Sequence, residues 1–287
     1  SFTFNIGGKI DLDVSAATAV AGTPAPIYGD MAQGTHINRT EDRYGNLLFS
    51  NFTSKTYQGN ANVCFVLDAS GQLMPGASGI LSNAEGNSVS MKAPASADQY
   101  YLFTVGANGR LYYHIIDLSQ PGNGTTATPL GEVVSINNPV NGVTSYGKTM
   151  ALLEDHTGNA KSQLYLRNYL GAFTAALVRF EVNSAGVGPL QTMTTYSSVA
   201  SDNAEMQISP DGMRLALTNT YRTGTFFSIP RGRILTYDLS PDHTIATLAN
   251  VRQLGWFTFA GSLDFSPDGS HIYFSQSSAF FPTANGH

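Results

Sequence analysis

Cysteine is almost absent from this sequence of 287 residues, which contains only Cys64. A single cysteine cannot form an internal disulfide, so a small disulfide-stabilised fold is excluded. Cys64 lies in the apolar run of residues 62–67, which predicts a strand with the thiol facing the core. No cationic neighbour is visible that would lower the pKa of the thiol, so we expect a structural rather than a reactive cysteine.

Charged residues are also scarce, at 12% of the chain, and they give a net charge of -5. No cluster of Lys and Arg could follow a phosphate backbone, so we expect no nucleic-acid partner. No apolar run approaches the roughly 20 residues that a membrane-spanning helix needs, so we expect no membrane span. The chain does not open with a basic segment followed by an apolar one, as expected if a signal has been removed or never existed.

The chain is rich instead in glycine, proline and aromatic residues, placed between short apolar runs. It contains 29 Gly, 13 Pro, 14 Tyr and 16 Phe, and 42% of its residues are hydrophobic. No window shows a sustained helical period, so the pattern predicts an all-β fold with a large core. Many Ser, Thr and Asn residues beside so few charges are typical of extracellular β proteins.

One stretch occurs twice, at residues 206–217 and again at residues 263–274. Each copy has alternating apolar residues on both sides of Ser-Pro-Asp-Gly. Pro fixes φ, Asp accepts hydrogen bonds from the backbone ahead of it, and Gly takes a positive φ, which predicts a tight turn between two half-buried strands. A hairpin that returns after roughly 50 to 60 residues indicates a fold built from repeated blades.

Weaker copies of the turn are predicted at Gly45, at residues 96–98 and at Gly158. A second marker alternates with the turns, a strand that ends in an acidic residue: Asp68, Asp117, Glu181 and Asp238. Together the two markers predict a single β-propeller domain over residues 1–287, with four-stranded antiparallel blades. About five blades of a possible seven are visible, so we expect the ring to be incomplete.

The two ends of the chain carry half-blades in this interpretation. Strand candidates at residues 2–6 and 10–14 lack a preceding hairpin, and propellers commonly complete one blade with strands from both termini. The chain stops just after the second Ser-Pro-Asp-Gly hairpin. We therefore expect either a small ring or a piece of a longer polypeptide.

Several short motifs follow one another in a particular order: Asn5-Ile-Gly-Gly-Lys-Ile-Asp11, Tyr44-Gly-Asn-Leu-Leu-Phe-Ser50, Leu73-Met-Pro-Gly76, Gly79-Ile-Leu-Ser82, Tyr100-Tyr-Leu-Phe-Thr104, Tyr112-Tyr-His-Ile-Ile-Asp-Leu118 and Ser209-Pro-Asp-Gly212. This order resembles the N-terminal propeller region of large secreted proteins of Bacteroidetes. Members of that family are typically cargo of the type IX secretion system, and they resemble surface adhesins and scaffold proteins. The resemblance implies an extracellular or outer-membrane location, and it carries over no catalytic residues. The family usually has a Trp in the opening strand, where this chain has Phe2 or Phe4, and its sorting domain and immunoglobulin-like repeats are missing here.

Acidic clusters near predicted turns are the first candidates for catalysis, at Glu41-Asp-Arg43 and Glu154-Asp-His156. Neighbouring residues on a strand face opposite sides, so these carboxylates do not converge without a bulge, which favours solvated turn charges. A hydrolase would need two carboxylates about 5 to 10 Å apart across a channel, drawn from residues such as Asp42, Glu154 or Asp155.

Metal and nucleotide sites lack a sequence signature. The histidines have no zinc-site spacing: His36, His114, His156, His243, His271 and His287. No calcium loop, nucleophile elbow or phosphate loop is present, although loops from separate blades could still bind a structural calcium. We therefore predict no catalytic, cofactor-binding or metal residues, with a structural calcium as the open alternative.

Aromatic residues could either stack on sugar rings or pack between blades: Tyr100, Tyr101, Tyr112, Tyr113, Phe226, Phe227, Trp256, Phe257 and Phe259. Their alternation favours packing. Acceptor patterns for N-glycosylation at Asn38, Asn51 and Asn123 are expected to be chance matches in a bacterial protein.

The sequence thus predicts a non-catalytic, secreted or cell-surface propeller that acts as a binding or scaffold module in adhesion or a surface assembly. Its partner would be a protein or glycan at the cell surface, or the remainder of a longer polypeptide or assembly. The alternative is a propeller enzyme that acts on polysaccharide, as a glycoside hydrolase or lyase.

Overall fold

The computed structural model describes residues 2–6, 8–12, 36–42, 44–57, 60–83, 88–94, 96–140, 146–154, 161–198, 205–223, 229–256 and 258–278. These ranges consist of strands joined by turns and loops and contain no helix, as the composition predicts. A helix with the length and hydropathy of a membrane span is likewise not found in the described ranges. The predicted turn at Gly158 lies outside them.

Four antiparallel sheets follow one another along the chain, and each is a blade made of consecutive strands. Blade 1 contains β3 (His36–Glu41), β4 (Leu47–Tyr57), β5 (Asn60–Asp68) and β6 (Ile80–Leu81). Blade 2 contains β7 (Ser88–Lys92), β8 (Gln99–Val105), β9 (Leu111–Asp117) and β10 (Glu132–Pro139). Blade 3 contains β11 (Tyr146–Leu153), β12 (Ser162–Gly171), β13 (Thr174–Asn183) and β14 (Gly186–Val187), and β15 (Gln191–Ser197) also pairs with β13. Blade 4 contains β16 (Met206–Ile208), β17 (Arg214–Thr223), β18 (Ile229–Leu239) and β19 (Ala246–Trp256).

Two hairpins complete the set of strands. The strands β20 (Thr258–Phe265) and β21 (Ile272–Ser278) form a fifth, two-stranded sheet, and β1 (Phe2–Ile6) pairs only with β2 (Gly8–Leu12). The first strands of successive sheets contact one another in chain order, β3 with β7, β7 with β11, β11 with β16 and β16 with β20. This succession of four complete blades and a fifth hairpin is a β-propeller architecture, as predicted.

The Ser-Pro-Asp-Gly turns join the first and second strands of their sheets, as the sequence predicts. The Gly212 N–H donates to the Ser209 carbonyl at 2.8 Å, and the Arg214 N–H donates to Ser209 Oγ at 2.9 Å. Gly212 has φ of 72°, and the same bonds recur around Ser266 in the second copy. The predicted turns at Gly45 and at residues 96–98 join the corresponding strands of blades 1 and 2.

The acidic residues of the second marker all lie on the third strand of a blade, opposite the beginning of the second strand. Asp68 ends β5, and its Oδ1 accepts hydrogen bonds from the Ser70 and Gln72 N–H groups. Asp117 ends β9 and accepts from the Ser119 N–H in the same way. Asp68 and Asp117 therefore fix the turn after the strand, as predicted for an acidic strand end.

Blades 2, 3 and 4 each pack on both of their neighbours, because successive residues of their strands face opposite sides. In β8, Leu102 packs with blade 1 and Phe103 packs with blade 3. In β17, Leu215 and Leu217 pack with blade 3, while Ala216 packs with Leu263 of β20. The middle strands are therefore buried on both faces, and their apolar runs are nearly continuous.

His114, which is fully buried, connects polar groups of blades 1 and 2. The Asn137 N–H donates to Nδ1 at 3.0 Å, so the imidazole proton lies on Nε2 and is donated to Thr104 Oγ1 at 2.9 Å. Thr104 Oγ1 then donates to the Leu81 carbonyl of blade 1 at 2.6 Å. Burial lowers the pKa of His114 to about 3, because a charged imidazolium would lose its hydration there.

We predict that His114 makes the protein acid-sensitive. Because its folded pKa lies below the unfolded value of 6.5, the unfolded chain binds the extra proton, and stability is lost as pH falls from 6.5 towards 3. The expected slope is about 1.4 kcal/mol per pH unit from this group alone. Urea unfolding of wild type and His114→Gln at several pH values should show a flatter profile in the variant. An unchanged slope relative to wild type would contradict this role, and His271→Gln, at an exposed turn, serves as the control.

Candidate functional site

The acidic residues proposed as catalytic candidates have different positions in the structure. Asp42 lies in the turn between β3 and β4, where its Oδ1 accepts hydrogen bonds from the Tyr44 N–H at 2.8 Å and the Asn46 N–H at 2.9 Å. Glu41 pairs with Arg39 at 3.2 Å on the surface. Asp155 lies outside the described residues, and Glu154 lines a cleft between blades 3 and 4. Asp42 thus shapes a turn, and only Glu154 belongs to a concave site.

The predicted aromatic packing is confirmed for the residues of blade 2. Tyr100 meets Phe49 of blade 1 edge to face at 5.6 Å, and Tyr101 meets Tyr113 at 5.5 Å. Tyr112 is buried and accepts a hydrogen bond from Asn108. Phe226, Phe227 and the side chains of Trp256 and Phe259 lie outside the described part of the structure.

The remaining single residues are structural. Cys64 is buried, and burial raises the pKa of its thiol to about 12, as expected for an unreactive cysteine. Asn51 of β4 is fully buried. Asn123 donates to both Asp68 Oδ2 and the Leu73 carbonyl of blade 1. Both side-chain amides therefore contribute to packing within blade 1 or between blades 1 and 2. The side-chain amide of Asn38 donates a hydrogen bond to the Ser88 carbonyl of blade 2.

A concave site among the described residues is the cleft between blades 3 and 4, with a volume of about 1000 Å³. We call it the interblade cleft. Blade 3 contributes the end of β11, the beginning of β12 and the side chains of Arg179 and Glu181 on β13. Blade 4 contributes residues 208–212 and the loop of residues 241–244. The volume lies at the upper end of the usual range for small-ligand sites.

Two Ser-Pro-Asp turns form the blade 4 side of this cleft. The first is the repeated motif at Ser209, and the second, at Ser240, joins the third and fourth strands of the blade. In the second turn the His243 N–H donates to the Ser240 carbonyl at 2.7 Å, and the Ile245 N–H donates to Ser240 Oγ at 2.9 Å. His243 has φ of 57°, so it occupies the position that glycine has in the other two copies. This third copy of the Ser-Pro-Asp-Gly turn could not be recognised from the repeated sequence, because histidine replaces the glycine.

Three carboxylates of the cleft, those of Asp211, Asp242 and Glu181, are held in the ionised form. Hydrogen bonds from Ser209 and the Met213 N–H lower the pKa of Asp211, and those from Ser240 and Thr244 lower the pKa of Asp242 to about 2. A hydrogen bond from Asn183, together with the charge of Lys161, lowers the pKa of Glu181. These oxygens are therefore fixed hydrogen-bond acceptors rather than groups that exchange protons near neutral pH.

Arg179 is the buried cation of the cleft and is only 3% exposed. Its guanidinium donates to Gln163 Oε1 at 2.6 Å and also to Gln191 Oε1, and both acceptors are neutral. Its Nε is buried and bonds to no other atom of the described residues, which also offer no carboxylate within ion-pair distance. The charge of Arg179 acts on Glu181, but the two side chains form no ion pair, which is unusual for a buried guanidinium because burying a charge is costly unless it is paired.

His243 lies close enough to Arg179 to be affected by its charge. Burial, and then the positive charge of Arg179, lower the pKa of His243, so the imidazole is neutral at neutral pH. Its Nδ1 is buried and has no hydrogen-bond partner in the described structure. The arginine inside the apolar run Leu177-Val-Arg-Phe180 is a sequence signal for the interblade cleft. It was overlooked because only the acidic residue at the end of each strand served as a marker.

The three histidines whose side chains the structure describes do not converge on a metal site. His114 is in the core, His243 is at the cleft and His271 bonds to Ser270 in a turn, whereas the side chains of His36, His156 and His287 lie outside the described residues. Among the described residues, no three His, Cys, Asp or Glu side chains come together as metal ligands would. A structural calcium bound by loops of separate blades stays a prediction.

The fold defines this chain as a β-propeller protein with a polar interblade cleft. The chain matches no protein-family model and no curated protein.

We predict that the Ser240 hydroxyl is the main cause of the low pKa of Asp242. In Ser240→Ala the Asp242 pKa should rise towards the ordinary value for aspartate, because the 2.6 Å hydrogen bond to its Oδ1 is lost. Titration of the side-chain carboxyl carbons by NMR measures this directly. Asp211, whose partner is Ser209, provides the control in the same sample and should not change. An unchanged Asp242 pKa would contradict the geometry of the turn.

Proposed function

We propose that the protein is a non-catalytic binding module whose ligand lies in the interblade cleft. The observation that carries the proposal is the pairing of fixed acceptors, Asp211 and Asp242, with a buried donor, Arg179, in one concave site. Groups with constant charge are suited to binding, whereas acid–base catalysis needs a group that titrates near the working pH. Apolar side chains of Leu152, Leu153 and other residues complete the lining, as is common in ligand sites.

The resemblance to Bacteroidetes secreted propellers supports a place for this module at the cell surface. In this proposal, export by the type IX route presents the cleft to a glycan or protein partner outside the cell, in adhesion or in a surface assembly. The scarcity of charge, with 12% charged residues, is consistent with an extracellular β protein.

The proposal is tested by screening the purified chain against glycan and surface-protein arrays. We expect specific binding, with an affinity that stays constant from pH 6.5 to 8. The lowered pKa of His243 favours its neutral form in that range, and Asp211, Asp242 and Glu181 stay ionised because their pKa values are lowered too. Absence of binding on both arrays would contradict a binding role for this cleft. An affinity that changes steeply between pH 6.5 and 8 would also contradict it.

A polysaccharide-degrading enzyme is the second candidate, and Glu205 is the observation that favours it. Glu205 directly precedes β16, and Asp264 lies in the adjoining strand β20. Burial, and then the negative charge of Asp264, raise the pKa of Glu205. A carboxyl group with a raised pKa beside a second carboxylate is the arrangement of acid catalysts in glycosidases.

The enzyme candidate predicts release of reducing ends from polysaccharide. Glu205→Gln should abolish that release, while Glu41→Gln, at an exposed site, should leave it intact. Because we propose a non-catalytic binding module, we expect the wild-type chain to release no reducing ends. Turnover that depends on Glu205 would replace the binding proposal with this one.

A further inference from the structure

The interblade cleft combines two charge properties that restrict its ligand. At its base, Arg179 is bonded only to the neutral oxygens of Gln163 and Gln191. A guanidinium is a planar fork that matches a carboxylate, and charge-assisted bonds of this kind are about twice as strong as neutral ones. The ligand group that best complements this base is therefore an anion.

The net charge of the lining, however, disfavours an anion that carries no hydrogen-bond donors. It contains two cationic side chains, Lys161 and Arg179, and four acidic ones: Glu154, Glu181, Asp211 and Asp242. Lys161 is already paired with Glu181 at 3.4 Å. A small anion such as phosphate would be repelled by this excess of negative charge, so the ligand must also bring hydrogen-bond donors that the carboxylates can accept.

The acceptors are arranged for neutral donors. Asp211 and Asp242 each lie in a Ser-Pro-Asp turn at the exposed blade 4 side of the cleft, and hydrogen bonds within those turns hold both carboxylates in place. Fixed, ionised oxygens of this kind bind hydroxyl groups with little loss of side-chain freedom. A sugar ring that carries a carboxylate supplies both an anion and several hydroxyl donors.

We infer that the interblade cleft binds an acidic oligosaccharide, with a sugar carboxylate on Arg179 and sugar hydroxyls on the carboxylates of Asp211 and Asp242. This inference rests on the proposed binding function and names its ligand class. The cleft volume of about 1000 Å³ suits a short oligosaccharide better than a single ring.

The first test compares ligands by titration calorimetry with the whole chain. The acidic probes are two trisaccharides with a single uronic acid, one of galactose with galacturonate and one of mannose with mannuronate, so that each has one carboxylate and many hydroxyls. Galactotriose and mannotriose keep the hydroxyls without the carboxylates, and tricarballylate has carboxylates without hydroxyls. We expect at least one acidic trisaccharide to bind at least about 10-fold more tightly than its neutral counterpart and than tricarballylate, since each comparison removes one set of charge-assisted bonds.

The second test changes the charge around Arg179 without disturbing the core. Gln191 is an exposed residue of β15 whose side-chain oxygen already accepts from Arg179. In Gln191→Glu the protein supplies its own carboxylate to Arg179, which should reduce the affinity for the acidic trisaccharide at least about 10-fold and leave the neutral one unchanged. Gln276→Glu, an equal charge change at an exposed position of β21, is the matched control and should have no effect.

The outcomes separate this inference from the proposed function. Equal binding of acidic and neutral trisaccharides, no binding of either acidic probe, or an unchanged affinity in Gln191→Glu would overturn the inference. If the arrays still identify a partner whose binding ignores Gln191→Glu, the proposed binding function stands and only the acidic-sugar ligand class fails. Binding of tricarballylate as tight as that of the acidic sugars would identify a general anion site and would likewise overturn the sugar assignment.

Discussion

Burial of both faces of every blade is the constraint on which the rest of the structure depends. A strand such as β12 has apolar side chains towards blade 2 and towards blade 4, so neither face can carry a charge without a local partner. His114 shows how such a partner is provided, because its imidazole bonds to Thr104 and Asn137 on adjoining strands. In our proposal, the ligand binds where the apolar packing between blades ends.

The interblade cleft is such a place. Between blades 3 and 4 the apolar cluster around Tyr165 and Leu217 gives way to the polar side chains of Gln163, Arg179 and Glu181. Two turns of blade 4 then border the opening with aspartates that they hold in the ionised state. The same turn chemistry that makes a compact hairpin corner thus also creates a fixed row of acceptors. The repeated Ser-Pro-Asp motif is structural in origin and, in our proposal, functional in position.

The blade pattern could be predicted from the sequence because its signals are local. Ser209 with Gly212, and Ser266 with Gly269, close turns through bonds between residues at most five apart. Asp68 and Asp117 mark third strands for the same reason. The cleft could not be predicted, because Arg179 and Asp242 are distant in sequence and meet only when two blades pack. The turn at Ser240 was hidden since His243 adopts a conformation that usually requires glycine.

A crystal structure of the chain with an acidic trisaccharide tests the central claim most directly, because it reports the fold and the ligand position together. The account predicts density for the sugar between blades 3 and 4, with one carboxylate within hydrogen-bond distance of the Arg179 guanidinium and hydroxyls on Asp211 and Asp242. Density for the sugar elsewhere on the propeller, with the cleft filled only by solvent, would contradict it.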